Sequence, residues 1–418
     1  MRTKAIRSIG LAAALLASLT ACGGRDAVTS SAGEGECRGQ QTTGITDTTI
    51  KIGGAYPLSG PASAYAEIPK GIKAYFDYIN AEQGGIDGRT VEYLVRDDGY
   101  QPPKTIEETR RLVEQDQVFA VFQTLGTATS SAVQDYLNQR QVPQIFVASG
   151  ADKFGADPER SPWTIGWQPS YHTEALAYAK YVQKQKPNAT VAVLYQNDDF
   201  GKDLRTAFTE GVAGSGVKVV AEQSYEVTDP TVDAQVRNLA NSKADVFLNF
   251  STPKFALQAL AADVRNIDWN PTHIVAQVSN TSSNMRPVGL QNVQGTVSAG
   301  FLKDPSDPRW ATDPGMATYK TGLAKYAPGA DSTNSHTMTG WAMGESFHRT
   351  MSAAKCPTRE GLRDAMRSID DVAVGLMLPG ISMKTGPKDG YPLEAVGIQT
   401  IVGEHWSVSD EIFSTETN

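Results

Sequence analysis

Short apolar runs alternate with amphipathic stretches from residue 49 onward, and this alternation predicts the architecture of the chain. Four apolar runs in the first part predict strands: TIKIGGAY, TVEYLVRDD, VFAVFQT and PQIFVAS. Between the first two, Ile72, Tyr75 and Ile79 fall on one face of a helix, which ends at Gly84 and Gly85. Short apolar strands between amphipathic helices predict parallel sheets that helices cover on both faces.

The same alternation restarts after the segment PWTIGWQPSYHTE and predicts a second α/β unit of similar size. Its expected strands are TVAVLYQ, VKVVAEQSY, ADVFLNF and THIVAQV, with helices over 201–213 and 232–242 and another ending at Arg265. Three helical stretches (313–326, 337–354 and 358–369) and a last strand region, LEAVGIQTIVG, follow. The simplest packing returns these helices to the first unit and the last strands to the second.

The predicted fold is therefore an α/β protein of two Rossmann-like lobes, joined by three hinge crossovers, with a cleft between them. We assign residues 46–166 and 303–379 to lobe 1, and residues 167–302 and 380–418 to lobe 2. In open α/β sheets, ligands bind beyond the carboxyl ends of the strands, so the cleft is the expected site.

The N-terminal segment MRTKAIRSIGLAAALLASLTACGG has the form of a bacterial lipoprotein signal. Basic residues precede an apolar run that is too short to span a bilayer, and small residues lead to Cys22. We predict that residues 1–21 are a signal peptide, that Cys22 is acylated, and that residues 22–45 are a flexible, lipid-anchored tether. An ordinary signal peptide with Cys22 present by chance is the alternative.

Two further cysteines remain, Cys37 and Cys356. Outside the cytoplasm, two such thiols are expected to pair, and we predict a disulfide between them. Two unpaired, partly buried thiols are the alternative. The five histidines are scattered without the spacing of metal ligands, so the sequence predicts no metal site.

Charge and motifs exclude several classes of function. The chain has 38 Lys and Arg against 46 Asp and Glu, a net charge of −8, and thus no basic excess for binding nucleic acid. Hydrolase, zinc-protease, nucleotide-binding and dinucleotide-binding motifs are missing from the sequence. The acidic pairs Asp97-Asp98 and Asp198-Asp199 follow strands, where helix capping is a simpler interpretation than catalysis. We therefore predict neither an enzyme nor a cofactor.

Small, hydroxylated and aromatic residues follow the predicted strands. They occur in the segments PLSGPASAY, TLGTATSS, ASGA, GWQPSYHTE, QNDDFG and NFSTP. The segment GTATSS precedes a helix, where free amides and hydroxyls bind a carboxylate well, although Thr129 or Ser130 as a plain helix cap explains it equally. Aromatic residues at these strand ends could form a wall around a solute or pack the two lobes together; they are Tyr65, Trp167, Tyr171 and Phe200.

Longer segments resemble the type I periplasmic, or extracellular, solute-binding proteins of the branched-chain amino-acid-binding family of ABC importers. They are IKIGGAYPLSGPASAYAEIPKGIKAYFDYINAEQGGIDGR, VRDDGYQPPKTIEETRRLVEQD and VLYQNDDFGKD, and the resemblance runs from about residue 49 to 403. It implies two lobes that close on a small solute, which is then delivered to an ATP-driven importer.

The resemblance also implies a set of ligand-binding residues: Tyr65, Gly126, Thr127, Thr129, Ala148, Ser149, Gly150 and Phe200. Two further candidates come from the sequence itself: Trp167, among the aromatic residues at strand ends, and His336, at a helix start. We hypothesise that Thr127 and Thr129 hold an anionic end of the solute. The family's acidic partner for a ligand ammonium is expected after THIVAQV, where this chain reads SNTSSN. The resemblance implies a branched-chain or other amino acid as the solute, whereas a related small carboxylate or amide would need no such acidic partner.

The sequence thus predicts an extracytoplasmic, lipid-anchored, monomeric binding protein. Its expected partners are a small-molecule solute, ABC permease subunits and, through Cys22, the bacterial membrane. A ligand-sensing module for a membrane signalling partner and an extracytoplasmic enzyme are the alternatives; a neighbouring permease gene would distinguish the first, and turnover of a bound ligand the second.

Overall fold

Two β-sheets with flanking helices make up the part of the chain that the computed structural model describes, which is residues 37, 39, 40, 42–264 and 269–416. The first elements are β1 (Thr49–Tyr56), α1 (Glu67–Glu82), β2 (Thr90–Asp97), α2 (Pro102–Arg110), β3 (Ala120–Phe122), α3 (Thr127–Gln139), β4 (Gln144–Val147) and β5 (Thr164–Gly166). A further ten follow: α4 (Tyr171–Gln185), β6 (Thr190–Gln196), α5 (Asp199–Gly211), β7 (Lys218–Tyr225), α6 (Asp233–Ala240), β8 (Val246–Phe250), α7 (Pro253–Val264), β9 (Thr272–Val275), α8 (Ser282–Met285) and β10 (Val297–Gly300). The last are α9 (Pro314–Tyr326), α10 (Ser335–Ser352), α11 (Arg359–Met366), β11 (Ala395–Val402) and β12 (His405–Ser414).

The strand order confirms the predicted α/β class. One sheet has five parallel strands in the order β2-β1-β3-β4-β5, and the other has seven in the order β12-β11-β10-β9-β8-β6-β7. The last two strands of the second sheet depart from the parallel pattern, since β11 pairs antiparallel with both β10 and β12. A two-residue turn at Gly403 and Glu404 joins β11 to β12, and such a short turn permits only an antiparallel pair. The sequence did not predict the strand β12.

The chain passes between the sheets after β5, after β10 and before β11. The helices α9 and α10 pack on α1 beside the five-stranded sheet, whereas β11 and β12 extend the seven-stranded sheet. Strands β1–β5 thus lie in the range predicted for lobe 1, and β6–β12 in the ranges predicted for lobe 2. The core around α1 also contains Ile381, Met383 and Leu393, past residue 379, and the exact limits of the lobes stay a prediction.

Helices α1 and α10 approach each other closely at two glycines. A Cβ atom on Gly71 would overlap the carbonyl oxygen of Thr337, and one on Gly340 would overlap that of Ile68. Because both obstacles are backbone atoms, neither can move aside without separating the helices. This contact positions the two helices that carry Ile68 and His336.

The predicted signal peptide, Cys22 and most of the predicted tether lie outside the described residues. Cys37 and Cys356 are each disulfide-bonded in the structure. Within the described residues, no helix combines the length and the apolar character needed to cross a membrane.

Candidate functional site

A cavity lies between the two sheets, at the carboxyl ends of their strands. Tyr65, Tyr100 and Ala148 reach it from the loops after β1, β2 and β4, and Phe200 and Thr252 reach it from the segments after β6 and β8. Its volume of about 80 Å³ offers roughly five to eight water-sized positions. The space suits a small solute, and it lies where open α/β sheets bind ligands.

Five of the residues expected to bind ligand line this cavity: Tyr65, Gly126, Ala148, Phe200 and His336. The rings of Tyr65 and His336 lie 5.1 Å apart, and Phe200 meets the ring of Tyr171 edge-on at 5.0 Å. The aromatic wall therefore draws on both lobes. Burial lowers the pKa of His336, and its Nδ1 donates a hydrogen bond to the Ala64 carbonyl at 3.2 Å.

The other five expected ligand-binding residues do not line the cavity: Thr127, Thr129, Ser149, Gly150 and Trp167. The hydroxyl of Thr129 donates to the carbonyl oxygens of Leu125 and Gly126, within its own helix turn. The Trp167 ring is fully buried in the core, where its Nε1 donates to Ser346 Oγ at 2.9 Å. Local hydrogen bonding and core packing hold these two side chains away from the cavity.

Tyr171 lies against the corner formed by Thr127, Ser149 and Gly150. Its backbone N–H donates to the Gly150 carbonyl at 2.7 Å, and a Cβ on Gly150 would lie only 2.9 Å from its ring. Thr127 Oγ1 and Ser149 Oγ are 2.7 Å apart. Burial raises the pKa of the Tyr171 phenol, and hydrogen bonding from Ser149, Gly150 and Thr127 partly offsets the rise. A lobe 2 side chain thus occupies the corner predicted to hold a carboxylate.

Tyr100 was not predicted to line the cavity. Its φ of 63° is rare for a bulky residue, and its N–H donates to Asp98 Oδ1 at 2.9 Å. Its ring lies on Gly126, where a Cβ would be 2.9 Å from Tyr100 Cζ. Tyr100 also lines an open cleft of about 1250 Å³ beside the cavity, so its ring lies between the two spaces. The loop sequence DDGYQPP was the one feature of the sequence that could have indicated Tyr100 as a cavity residue.

Of the acidic pairs after strands, Asp198 caps a helix as interpreted from the sequence, whereas Asp97 and Asp98 accept hydrogen bonds from loop groups and cap no helix. Asp97 accepts hydrogen bonds from the Leu58 amide and the Ser59 hydroxyl. Burial raises the pKa of Asp97, but hydrogen bonds from Ser59, Gly99 and Lys104 outweigh burial and lower this pKa to about 2. Asp198 caps α5 through the Gly201 amide. These carboxylates tie the loops around the cleft together.

Among the described residues that line the cavity, Lys303 and Asp304 have ionisable side chains, and both are hydrogen-bonded to other groups of the protein. Lys303 Nζ donates to Asp313 Oδ2 at 2.7 Å and to the Gly375 carbonyl at 2.8 Å. Asp304 accepts the backbone amides of Ser306 and Trp406 at 2.7 and 3.2 Å. Asp304 supplies a carboxylate that the sequence analysis did not find, because it lies on the second crossover and not at a strand end.

Two α/β lobes with a cavity between them, at the carboxyl ends of their parallel strands, define the class of two-lobed binding proteins. The chain belongs to the periplasmic binding protein family, whose sequence model matches residues 49–402. It is a type I protein of the branched-chain amino acid group, a family of solute-binding proteins and not of enzymes.

Curated relatives are distant. A Leu/Ile/Val-binding protein homolog from Brucella suis is 26% identical over 212 residues, which cover 48% of this chain and 52% of the relative. The leucine-, isoleucine-, valine-, threonine- and alanine-binding protein of Pseudomonas aeruginosa is 23% identical over 269 residues, or 64% of this chain and 66% of the relative. The chain spans about half the length of the first of these relatives.

Solved structures share the fold over nearly the whole chain. An ABC transporter substrate-binding protein from Aeropyrum pernix superposes with a TM-score of 0.78 at 16% identity, covering 89% of this chain and 97% of that one. A fatty acid ABC transporter substrate-binding protein from Thermomonospora curvata gives 0.76 at 22% identity, covering 90% and 95%. A branched-chain amino acid ABC transporter protein from Thermus thermophilus with bound valine gives 0.76 at 17%, covering 88% and 96%.

Proposed function

We propose that this protein captures a small solute between its lobes outside the cytoplasm and delivers it to an ABC importer, while a lipid on Cys22 anchors it to the membrane. The observation that carries the proposal is the cavity at the strand ends, to which both lobes contribute aromatic side chains. The names of the relatives, which describe amino-acid binding, support the solute-binding role.

Ligand capture would work by a shift of population between open and closed arrangements of the lobes. Tyr65 and Ala148 come from one sheet and Phe200 and Thr252 from the other, so a solute gains all of these contacts only when the lobes are closed. A ligand that contacts both lobes therefore favours the closed state by its differential affinity. The three crossovers would serve as the hinge.

The cavity lining is the proposed binding surface, with Tyr65 and Phe200 as opposing walls. Gly126 allows the Tyr100 ring to approach, and His336 supports the Tyr65 ring. Thr127, Ser149 and Gly150 form the corner that Tyr171 occupies, whereas Thr129 and Trp167 serve local structure. Direct contact of these five residues with the solute is not part of the proposal.

Replacing Phe200 with alanine is expected to weaken solute binding about tenfold, which corresponds to about 1.4 kcal/mol. The truncation removes a buried ring from the lobe 2 wall, while Tyr65 on the opposite wall is left unchanged. A thermal-shift screen of amino acids, short carboxylates, amides and polyols would first identify a ligand, and isothermal titration calorimetry would then measure its affinity.

The matched control is Phe413→Ala, which removes an aromatic ring from β12 outside the cavity lining. It should bind the same ligand with unchanged affinity. Equal affinities of the wild type and of Phe200→Ala would contradict the assigned wall, and a screen without any ligand would contradict the proposed function itself.

The predicted pairing of Cys37 with Cys356 can be tested directly. We expect peptide mapping without reductant to recover one peptide that links the two cysteines, because this protein is proposed to reside in an oxidising compartment. Treatment with reductant should separate the two halves. A linked peptide that joins two copies of the chain would contradict the intramolecular pairing.

A further inference from the structure

Two side chains that line the cavity each carry a buried N–H group without a hydrogen-bond partner. One is the side-chain amide Nε2 of Gln168, a residue on the crossover after β5. The other is the indole Nε1 of Trp406, a residue of β12. A buried donor that stays unpaired is unfavourable, so a solute whose acceptor oxygens reach these N–H groups gains binding energy. The two unpaired donors indicate a solute with oxygen acceptors.

The lining provides little to hold an anion. Lys303 is the one Lys or Arg among the described lining residues, and its ammonium is already paired with Asp313 and with the Gly375 carbonyl. A carboxylate that enters the cavity loses part of its hydration, and no free cation in the described lining would replace it. This balance disfavours a negatively charged solute.

The corner that could receive a carboxylate through amides is filled by the protein. No side chain caps the N-terminus of α3, where an anion would ordinarily be stabilised. The Tyr171 ring lies against Gly150 at this corner, and Thr127 and Ser149 adjoin it. The phenol oxygen of Tyr171 therefore takes the place of a carboxylate oxygen.

A positively charged solute also lacks a free partner. Asp304 is the one acidic residue in the described lining, and each of its oxygens accepts a backbone amide, from Ser306 and from Trp406. Its carboxylate thus joins the second crossover to the hairpin of β11 and β12.

We propose that this cavity selects an uncharged small solute with acceptor oxygens, of the carboxamide type, over carboxylates, amines and α-amino acids. The inference rests on the proposed function, since it names the class of solute that the same cavity would take. The donors Gln168 and Trp406 bind the acceptor oxygen, and Tyr171 excludes the carboxylate.

The test compares probes of one shape and different charge. Isothermal titration calorimetry on the full chain would use benzamide, benzoate, benzylammonium and L-phenylalanine, and in parallel isovaleramide, isovalerate and L-leucine. At least one amide should bind ten times more tightly than its matched carboxylate, amine or amino acid. Equal or tighter binding of a charged probe would overturn the inference and leave the proposed function standing, whereas absence of binding by every probe would overturn both.

Single substitutions test which residues cause the preference for an amide. Gln168→Leu and Trp406→Phe should each weaken the amide at least fivefold, because each removes one donor and keeps an apolar side chain. Tyr171→Phe removes the phenol oxygen and frees the hydrogen-bonding groups of Thr127, Ser149 and Gly150, so it should tighten carboxylate binding at least tenfold relative to amide binding.

The matched control for the last variant is Tyr181→Phe, ten residues further along the same helix and outside the lining. It should leave every affinity unchanged. If Tyr171→Phe binds carboxylates no better than the wild type does, the assignment of Tyr171 is wrong. If neither donor variant weakens the amide, the acceptor requirement is wrong.

Discussion

Replacing Glu174 with glutamine is expected to raise the free energy of unfolding at pH 8 by about 3 kcal/mol and to leave it nearly unchanged at pH 4. Glu174 lies on α4 and is 2% exposed. Its Oε1 accepts hydrogen bonds from the Tyr178 hydroxyl at 2.9 Å and from the Gln277 amide at 2.8 Å. A glutamine carbonyl can accept both bonds without carrying a charge into the core.

The direction of this effect follows from the pKa of Glu174. Burial raises it from 4.5 to about 7, although the Gln277 amide and the Tyr178 hydroxyl oppose the rise. Between those two pH values the folded protein holds a proton that the unfolded chain has lost, so stability falls as the pH rises through this window. Above pH 7 the ionised carboxylate remains buried, and the penalty becomes constant.

Urea unfolding of the wild type and of Glu174→Gln between pH 4 and pH 8 measures the effect, because the difference between the two curves cancels the other titrating groups. The control is Glu404→Gln, an exposed site in the turn between β11 and β12, where the two curves should coincide. A difference below about 1 kcal/mol at pH 8 would show that Glu174 does not bear this charge penalty.

Replacing Gly71 with alanine is expected to lower the free energy of unfolding by about 2–3 kcal/mol, the upper range for overpacking. The added methyl group would overlap the Thr337 carbonyl oxygen, which is part of the α10 backbone. Alanine is otherwise the better helix former, so without this contact the substitution would stabilise α1. A decrease in the free energy of unfolding would therefore show the close contact between α1 and α10, and an increase would show its absence.

Chemical denaturation gives the measurement, and Gly386→Ala provides the control. The nearest atom to a Cβ on Gly386 is 3.9 Å away, an ordinary van der Waals distance. Gly71→Ala should also weaken solute binding, because α1 carries Ile68 and α10 carries His336 at the cavity. An unchanged or increased free energy of unfolding would mean that α1 and α10 can move apart without destabilising the fold.

Strand positions were the most predictable feature of the fold. TIKIGGAY and TVAVLYQ match β1 and β6 residue for residue, because each is an apolar run buried in a parallel sheet. The three-residue β5 and the partly exposed β12 were not found, since β5 is too short and β12 lacks the apolar continuity that marks a strand. Helix α3 begins at Thr127, inside the segment GTATSS that was predicted to precede it.

The candidate site could be predicted only in part. Tyr65 and Phe200 were found because the residues that follow parallel strands gather at one edge of a sheet. Gln168, Asp304 and Trp406 were not found, since they lie on crossovers and on the final hairpin, and only folding brings these segments together.

The sequence by itself determined the α/β class, the family and the edge of each sheet where a solute would bind, because these follow from local apolar patterns and from motifs. The tertiary structure alone decided which side chains reach the cavity. Hydrogen bonds inside lobe 1 engage Thr127 and Thr129, while Tyr171 crosses from lobe 2 to fill the corner beside them. Such contacts depend on how the lobes meet, and residues far apart in the chain carry no local signal of that meeting.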